Sequence, residues 1–170
     1  APARATGGAV AASGRITVGS GGTGPQGTHD RRNYMGQKDC RFIAICDLKA
    51  TGREATQKLV NDFYKNQDCA TYTDYRELIA DPSVDAVVIA TPVSSHFELA
   101  MAALRAGKHV LVEKPMTSTS EQSLALIEEA DTRGLVLMVD HTFVYTNAVR
   151  KIRELTQHGE LGEIYYYDSV

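Results

Sequence analysis

Ile16-Thr17-Val18-Gly19-Ser20-Gly21-Gly22-Thr23-Gly24-Pro25-Gln26-Gly27 is the stretch that decides the fold. Its opening residues read as a short strand, and Gly22-Thr23-Gly24-Pro25-Gln26-Gly27 matches G-x-G-x-x-G between that strand and a helix. In such a turn the glycines let backbone approach a pyrophosphate, while the helix N-terminus supplies N–H donors. The spacing nominates Gly22, Thr23, Gly24, Gln26 and Gly27 as contacts to a dinucleotide. An overlapping match at Gly19, Gly21 and Gly24 would leave only Ile16, Thr17 and Val18 for the strand. The later register also sets Pro25 near the helix start, where its missing N–H costs least. Against it, Ser20 and Gly21 are poor residues for the buried end of a strand, so a plain flexible turn is the competing reading.

Outward from this turn, short apolar runs alternate with amphipathic helical stretches, the pattern of repeated βαβ units around a parallel sheet. Strands are expected near 16–21, 41–47, 70–72, 85–90, 109–113 and 135–139. Ala55, Leu59 and Phe63 are expected on the sheet-facing side of one helix, and Phe97, Ala100, Met101 and Leu104 on that of another. Gly107 and Gly134 read as helix stops, and Ser118 with Glu121 as a capping box opening the last of these helices. The expected fold class is α/β, a doubly wound parallel-sheet Rossmann domain.

Asp47 closes the second strand, where an acid can accept from the adenosine ribose hydroxyls and repel a 2′-phosphate. NAD is therefore favoured, and NADP stays possible because Lys49 could soften the repulsion. Thr91 and Pro92 follow the fourth strand, beside the switch point of a doubly wound sheet, and are expected to border the dinucleotide. Ser94 or Ser95 reads as an N-cap and His96 as a first-turn residue with no catalytic role. Glu113-Lys114-Pro115 ends the strand His109-Val110-Leu111-Val112. Strands of such sheets deliver side chains to the ligand crevice, and Pro115 stiffens the backbone beyond the lysine, so Lys114 is the catalytic candidate.

Composition limits the alternatives. With 170 residues, 43% of them hydrophobic, the chain can bury one good core and has little left for a second. Its 18 basic and 21 acidic side chains leave a net charge of -3 without a basic block, which argues against nucleic acid or an anionic membrane as main partner. No run approaches the roughly 18 to 20 apolar residues of a membrane span, and no apolar signal core stands near the N-terminus, so a soluble, cytoplasmic protein is expected. Cys40, Cys46 and Cys69 lack CxxC spacing; they read as free thiols, and no metal site is expected.

The set Gly22-Thr23-Gly24, Ile45-Cys46-Asp47, Ala90-Thr91-Pro92, Ala106-Gly107-Lys108-His109-Val110-Leu111-Val112-Glu113-Lys114-Pro115 and Gly159-Glu160-Leu161-Gly162 resembles the glucose–fructose oxidoreductase, inositol dehydrogenase and rhizopine catabolism (Gfo/Idh/MocA) family. The likeness runs in matching order over about residues 16 to 170, and its most specific block is the one ending in Glu-Lys-Pro. It implies an N-terminal Rossmann domain followed by an α/β substrate domain with a large, mostly antiparallel sheet. It also implies hydride transfer between NAD or NADP and a hydroxyl or carbonyl of a sugar, nucleotide sugar or cyclitol. Lys114 would then meet the substrate oxygen and assist proton transfer, Glu113 would contact the nicotinamide side, and His141 and Tyr145 would line the pocket entrance. His29 stands two residues after Gly27, where many relatives carry a histidine three residues on, and is assigned nothing.

The resulting division is a disordered leader 1–15, an NAD(P)-binding domain 16–145, and a linking helix with only the first strand of a C-terminal α/β domain in 146–170. The first helix is unusually polar, with Asp30, Arg31 and Arg32 and with Tyr34 and Met35 as its main apolar residues. Two functions remain open at this point: the N-terminal part of a dehydrogenase acting on a small sugar-like substrate, a homo-oligomer when full length, or a non-catalytic dinucleotide-binding module.

Overall fold

The computed structural model describes residues 14–168, apart from the side chains of Gln26, His29 and Asp30. The expected leader therefore lies almost wholly outside the described residues. Contacts divide the chain into two units, Ala1–Asp140 and His141–Val170. The division falls ahead of the expected boundary at 145, since the Asp140 amide is the last to bond into the sheet, donating to Val112 O at 3.0 Å.

In the first unit, β1 (Ile16–Gly21), α1 (Pro25–Met35), β2 (Cys40–Cys46), α2 (Ala50–Tyr64), β3 (Ala70–Tyr72), α3 (Tyr75–Ala80), β4 (Ala86–Ile89), α4 (His96–Arg105), β5 (His109–Val112), α5 (Ser120–Arg133) and β6 (Leu137–Val139) follow one another. All strand pairings are parallel, in the order β3-β2-β1-β4-β5-β6. This is the doubly wound order with its switch point between β1 and β4.

The sheet is buried on both faces because its strands are mostly apolar, with Val, Ile, Phe and Leu pointing to either side. One face carries Ala44, Cys46, Leu78, Val87, Ile89, Leu104, Val112 and Leu126. The other carries Val18, Met35, Phe42, Ile45, Val60, Cys69 and Val88. Strict alternation fails once, in β2. The register jumps from Val18 opposite Phe42 to Gly19 opposite Ala44, so Ile43 is an extra residue and Ile43 and Ala44 pack toward the same face. Each fully buried Leu or Ile contributes roughly 1.5–3 kcal/mol of transfer free energy.

The α4 face agrees with the apolar spacing, with Ala100 and Leu104 fully buried and Phe97 and Met101 packed beside them. The expected α2 face agrees only at Leu59, which packs half-buried against the core, while Ala55 is exposed. Its core side is Thr56, Val60 and Asn61, and Phe63 is 50% exposed. Polar side chains take core-side places here because strand backbone needs partners: Cys69 N donates to Asn61 Oδ1 at 3.1 Å, and Phe42 N donates to the Tyr64 hydroxyl at 3.2 Å. The cap of α5 is shifted by one residue from the Ser118–Glu121 reading. Thr119 is the N-cap and accepts from Gln122 N at 3.3 Å, while Gln122 Oε1 accepts from Ser118 N. Gly134 ends that helix as expected, with φ of 64°.

The second unit holds a short 3₁₀ turn, Thr142–Tyr145, and α6 (Asn147–Gln157), capped by Thr146. Residues 164–168, expected to begin a strand, pair with no strand among the described residues. A strand exists only through a ladder, and the exposed Tyr165, Tyr166 and Tyr167 have none.

Candidate functional site

The residues that follow the strands line one rim of the first unit. Gly22 N bonds Cys46 O, Asp47 N bonds Tyr72 O, Ala90 N bonds Gly21 O and Glu113 N bonds Ile89 O, at 2.9 to 3.2 Å. The parallel ladder thus continues one step past each strand and sets the glycine turn, Asp47, the loop from Thr91 and the Glu113-Lys114 turn along the carboxyl edge of the sheet. Open α/β sheets bind ligands at that edge.

Gly22 turns the chain off β1 with φ of 91°, and a Cβ there would run into Ala90 O. Gly27 lies so close beneath that a Cβ would stand 2.7 Å from Gly22 O and 3.0 Å from Ala90 Cβ. The turn therefore closes in the Gly22–Gly27 register, while Gly19 stays inside β1. Gly24 is the N-cap of α1 and Pro25 its first residue, so no side chain caps the helix and its first turn holds no acid. The uncapped end and the helix dipole suit an anion. The Gln26 side chain lies outside the described residues.

The polarity of α1 has a structural cause. Arg31 is fully buried, with Nη1 donating to Ser20 Oγ at 2.9 Å and to Gly22 O at 2.7 Å, and Nη2 to Thr28 Oγ1 at 3.2 Å. Ser20, a poor residue for a buried strand end on its own, is there as the partner of this guanidinium. Met35 and Tyr34 supply the apolar remainder.

Asp47 is tied to the same turn. Its Oδ2 accepts from Thr23 N at 2.7 Å and Thr23 Oγ1 at 2.6 Å, and its Oδ1 accepts from Lys49 N at 2.8 Å. Burial raises the Asp47 carboxyl, but the Thr23 hydroxyl and the Lys49 and Thr23 amides outweigh it and hold the group below the usual carboxylate range. Arg53, from the first turn of α2, donates Nη1 to Asp47 O at 2.6 Å. Beside them, burial first and the Asp47 charge second push the Cys46 thiol up to about 11, so it is neutral at physiological pH and no nucleophile.

At the other end of the rim, the Thr91 hydroxyl lies 2.8 Å from Ser95 Oγ, which donates to Pro92 O at 2.8 Å. Ser95 precedes α4 but caps it with no side-chain bond. His96 is 1% exposed, with Nε2 2.8 Å from Thr91 O and Nδ1 2.9 Å from Pro115 O. Glu113 is buried and its Oε2 accepts from Lys114 N at 3.0 Å. The Lys114–Pro115 peptide is cis, and the Lys114 side chain is exposed.

The structure thus brings Gly22, Thr23, Gly24, Gly27, Asp47, Thr91, Pro92, Glu113 and Lys114 to one edge. His141 and Tyr145 belong to the second unit, where both are exposed. An open hollow of about 390 Å³ between α5 and β6 is lined by Met116, Ile127, Leu135, Leu137 and Val139 among others. Asp131 is its one charged residue, so it has no cation to meet a phosphate. Sequence reasoning missed Arg31, Arg53 and His96. The excess of charge on α1 was the available sign of the first; the other two bond backbone carbonyls, which leave no mark in a sequence.

Residues 16–141 match the family described as an oxidoreductase family with an NAD-binding Rossmann fold. The chain is 41% identical over 130 residues to D-xylose 1-dehydrogenase (NADP(+)) of Hypocrea jecorina, covering 76% of this chain and 33% of that one. It is 36% identical over 112 residues to scyllo-inositol 2-dehydrogenase (NADP(+)) of Bacillus subtilis, covering 66% of this chain and 30% of that one. Among solved structures, an NAD-binding protein from Listeria innocua superposes with a TM-score of 0.74 at 32% identity, covering 88% of this chain and 42% of that one. The chain spans about a third of the length of the curated relatives it matches. With the doubly wound sheet, the glycine turn and the Glu-Lys-Pro turn on one rim, it belongs to the Gfo/Idh/MocA family of NAD-binding Rossmann oxidoreductases.

Proposed function

We propose that the chain is the dinucleotide-binding part of an NAD(P)-dependent oxidoreductase that interconverts a hydroxyl and a carbonyl on a sugar, nucleotide sugar or cyclitol. The observation that carries this reading is the common rim, where a carboxylate, an uncapped helix N-terminus and an exposed lysine stand in that order along one sheet edge. The cradle fits a dinucleotide: at Gly22 and Gly27 the chain's own close approach takes the space of a Cβ and folds the turn tightly, while Gly24 opens onto free space where a pyrophosphate can approach the backbone. Residues 16–145 form the cofactor domain in this reading, and 146–170 lead into the substrate domain.

Gly22, Thr23, Gly24, Gln26 and Gly27 bind the pyrophosphate, the N-terminus of α1 adding its donors. Asp47 accepts from the adenosine ribose, with Lys49 and Arg53 close enough in the chain to offset its charge towards a 2′-phosphate. Thr91 and Pro92 border the dinucleotide, and Glu113 stands on the nicotinamide side. The bound cofactor accepts or donates the hydride. Lys114 holds the substrate oxygen and handles its proton, and His141 and Tyr145 line the pocket entrance. The substrate is small and sugar-like, and the full-length protein assembles as a homo-oligomer.

Titration of this chain with NADH, followed by nicotinamide fluorescence, is expected to show binding that Asp47→Ala weakens about tenfold, the equivalent of one charge-assisted hydrogen bond. Absence of binding to well-folded protein overturns the cofactor assignment. In a longer polypeptide carrying the substrate domain, Lys114→Ala is expected to lower kcat by orders of magnitude with NADH affinity unchanged. Near-normal turnover removes Lys114 from the mechanism and favours a non-catalytic dinucleotide-binding module.

A further inference from the structure

Lys114 has an exposed side chain, yet the backbone on either side of it is anchored. On one side Glu113 N is bonded to Ile89 O at 2.9 Å, the last rung between β4 and β5. On the other, Pro115 has no N–H to offer a ladder, and its carbonyl faces His96 Nδ1 at 2.9 Å. The opposite ring nitrogen of His96 faces Thr91 O at 2.8 Å. The imidazole is 1% exposed and sits on the first residue of α4, a helix whose Ala100, Ala103 and Leu104 are fully buried. Both carbonyls only accept, so the ring bonds the two together when each nitrogen carries a proton; in that form neither the loop from Thr91 nor the turn at Pro115 can withdraw without leaving a buried N–H unpaired.

We infer that His96 is a positioning residue: a strap that carries the contact between β4 and β5 beyond the end of the sheet and sets where Lys114 stands relative to the Thr91-Pro92 loop. The ladder alone fixes only Glu113. The strap adds a second fixed point after Lys114, and two fixed points determine the direction in which the lysine leaves the backbone. Its other end holds Thr91 through the carbonyl, leaving the Thr91 hydroxyl to Ser95. One buried ring thereby couples the two loops that border the nicotinamide half of the site, whereas the glycine turn and Asp47, at the adenosine half, have their own ties through Arg31 and Thr23. The assignment of halves rests on the function proposed above; the strap itself does not.

The test uses this chain with His96→Phe, which keeps an aromatic ring in place and removes both contacts, and His96→Gln, which restores a side-chain N–H donor. In the absence of ligand, amide hydrogen exchange at residues 113–117 is expected to rise about tenfold in His96→Phe and to fall part of the way back in His96→Gln, with Cys46 and Asp47 unchanged. Unchanged exchange at 113–117 in folded His96→Phe overturns the strap. NADH affinity is expected to fall about tenfold in His96→Phe while AMP affinity stays within about twofold, a split that general loosening of the fold does not produce. Equal losses for NADH and AMP overturn the assignment of the two loops to the nicotinamide half. If the parent chain binds neither ligand, the cofactor reading fails and the exchange result alone decides the strap.

Discussion

The glycine turn after β1 and the lysine turn after β5 stand on one rim of the same sheet but are held in different ways. At the first, the chain approaches itself so closely that a side chain at Gly22 or Gly27 would strike backbone or Ala90, and the helix that follows sends Arg31 back to the strand it came from. The tie is local, 9 to 11 residues long. At the second, the anchor comes from the preceding helix: His96, on α4, reaches a carbonyl 19 residues further along the chain. A turn that must cradle a ligand with its backbone can be built within one strand–turn–helix unit. A turn that must aim a side chain is tied to the neighbouring unit, because direction needs a second fixed point.

The sharpest way to break this contrast is Arg31→Met. Ser20 Oγ and Gly22 O then lose a buried, charge-assisted partner, and the chain is expected to lose about 3 kcal/mol of stability in urea denaturation. The loosening is expected around Gly22 and Thr28 and not at Lys114; faster exchange at Lys114 in a folded variant would show that the two turns are not separately held. Gly22→Ala comes next. A positive φ and the approach of Ala90 O predict a loss of about 2 kcal/mol in the same measurement. A neutral effect would mean that the turn relaxes and that backbone closeness is not what holds it.

The smallest effect is on pH. The folded Asp47 carboxyl lies below its ordinary value, so its ties to Thr23 and Lys49 contribute stability that is fully present above about pH 3.9 and is lost as pH falls through the lower, folded value. Asp47→Asn is therefore expected to melt below the parent at pH 7, with the difference shrinking as pH drops below about 4. A difference that stays constant down to acid pH would remove the charged carboxylate as the tie between β2 and the glycine turn.

Much of the scaffold was readable because parallel strands are short apolar runs set between turn residues. All six strands lie within a residue or two of their expected places, and β1 and β3 match at both ends. What escaped notice did so for identifiable reasons. Helix α3 is six residues long, too short for a 3.6-residue period to show, although Asp74 caps it by accepting from Arg76 N at 2.9 Å. On α2, counting apolar residues chose Phe63 over Asn61. A core-side asparagine is favourable only where a particular backbone donor waits for it, here the amide of Cys69. In β2 the extra residue Ile43 reverses the alternation without changing composition.

The sequence by itself determined the order of the strands and of the longer helices, the glycine register, the acid after β2 and the lysine after β5. These are properties of residues within a few positions of each other, where spacing and residue type carry the physics. Only the tertiary structure decided that one of the charges on α1, Arg31, belongs inside, beneath the glycine turn, and that a histidine in the first turn of α4 spans Thr91 and Pro115. Both anchors bond main-chain carbonyls, and every residue has a carbonyl, so a sequence cannot show which one a side chain will meet. That choice is made when the sheet brings distant backbone within about 3 Å of a buried donor.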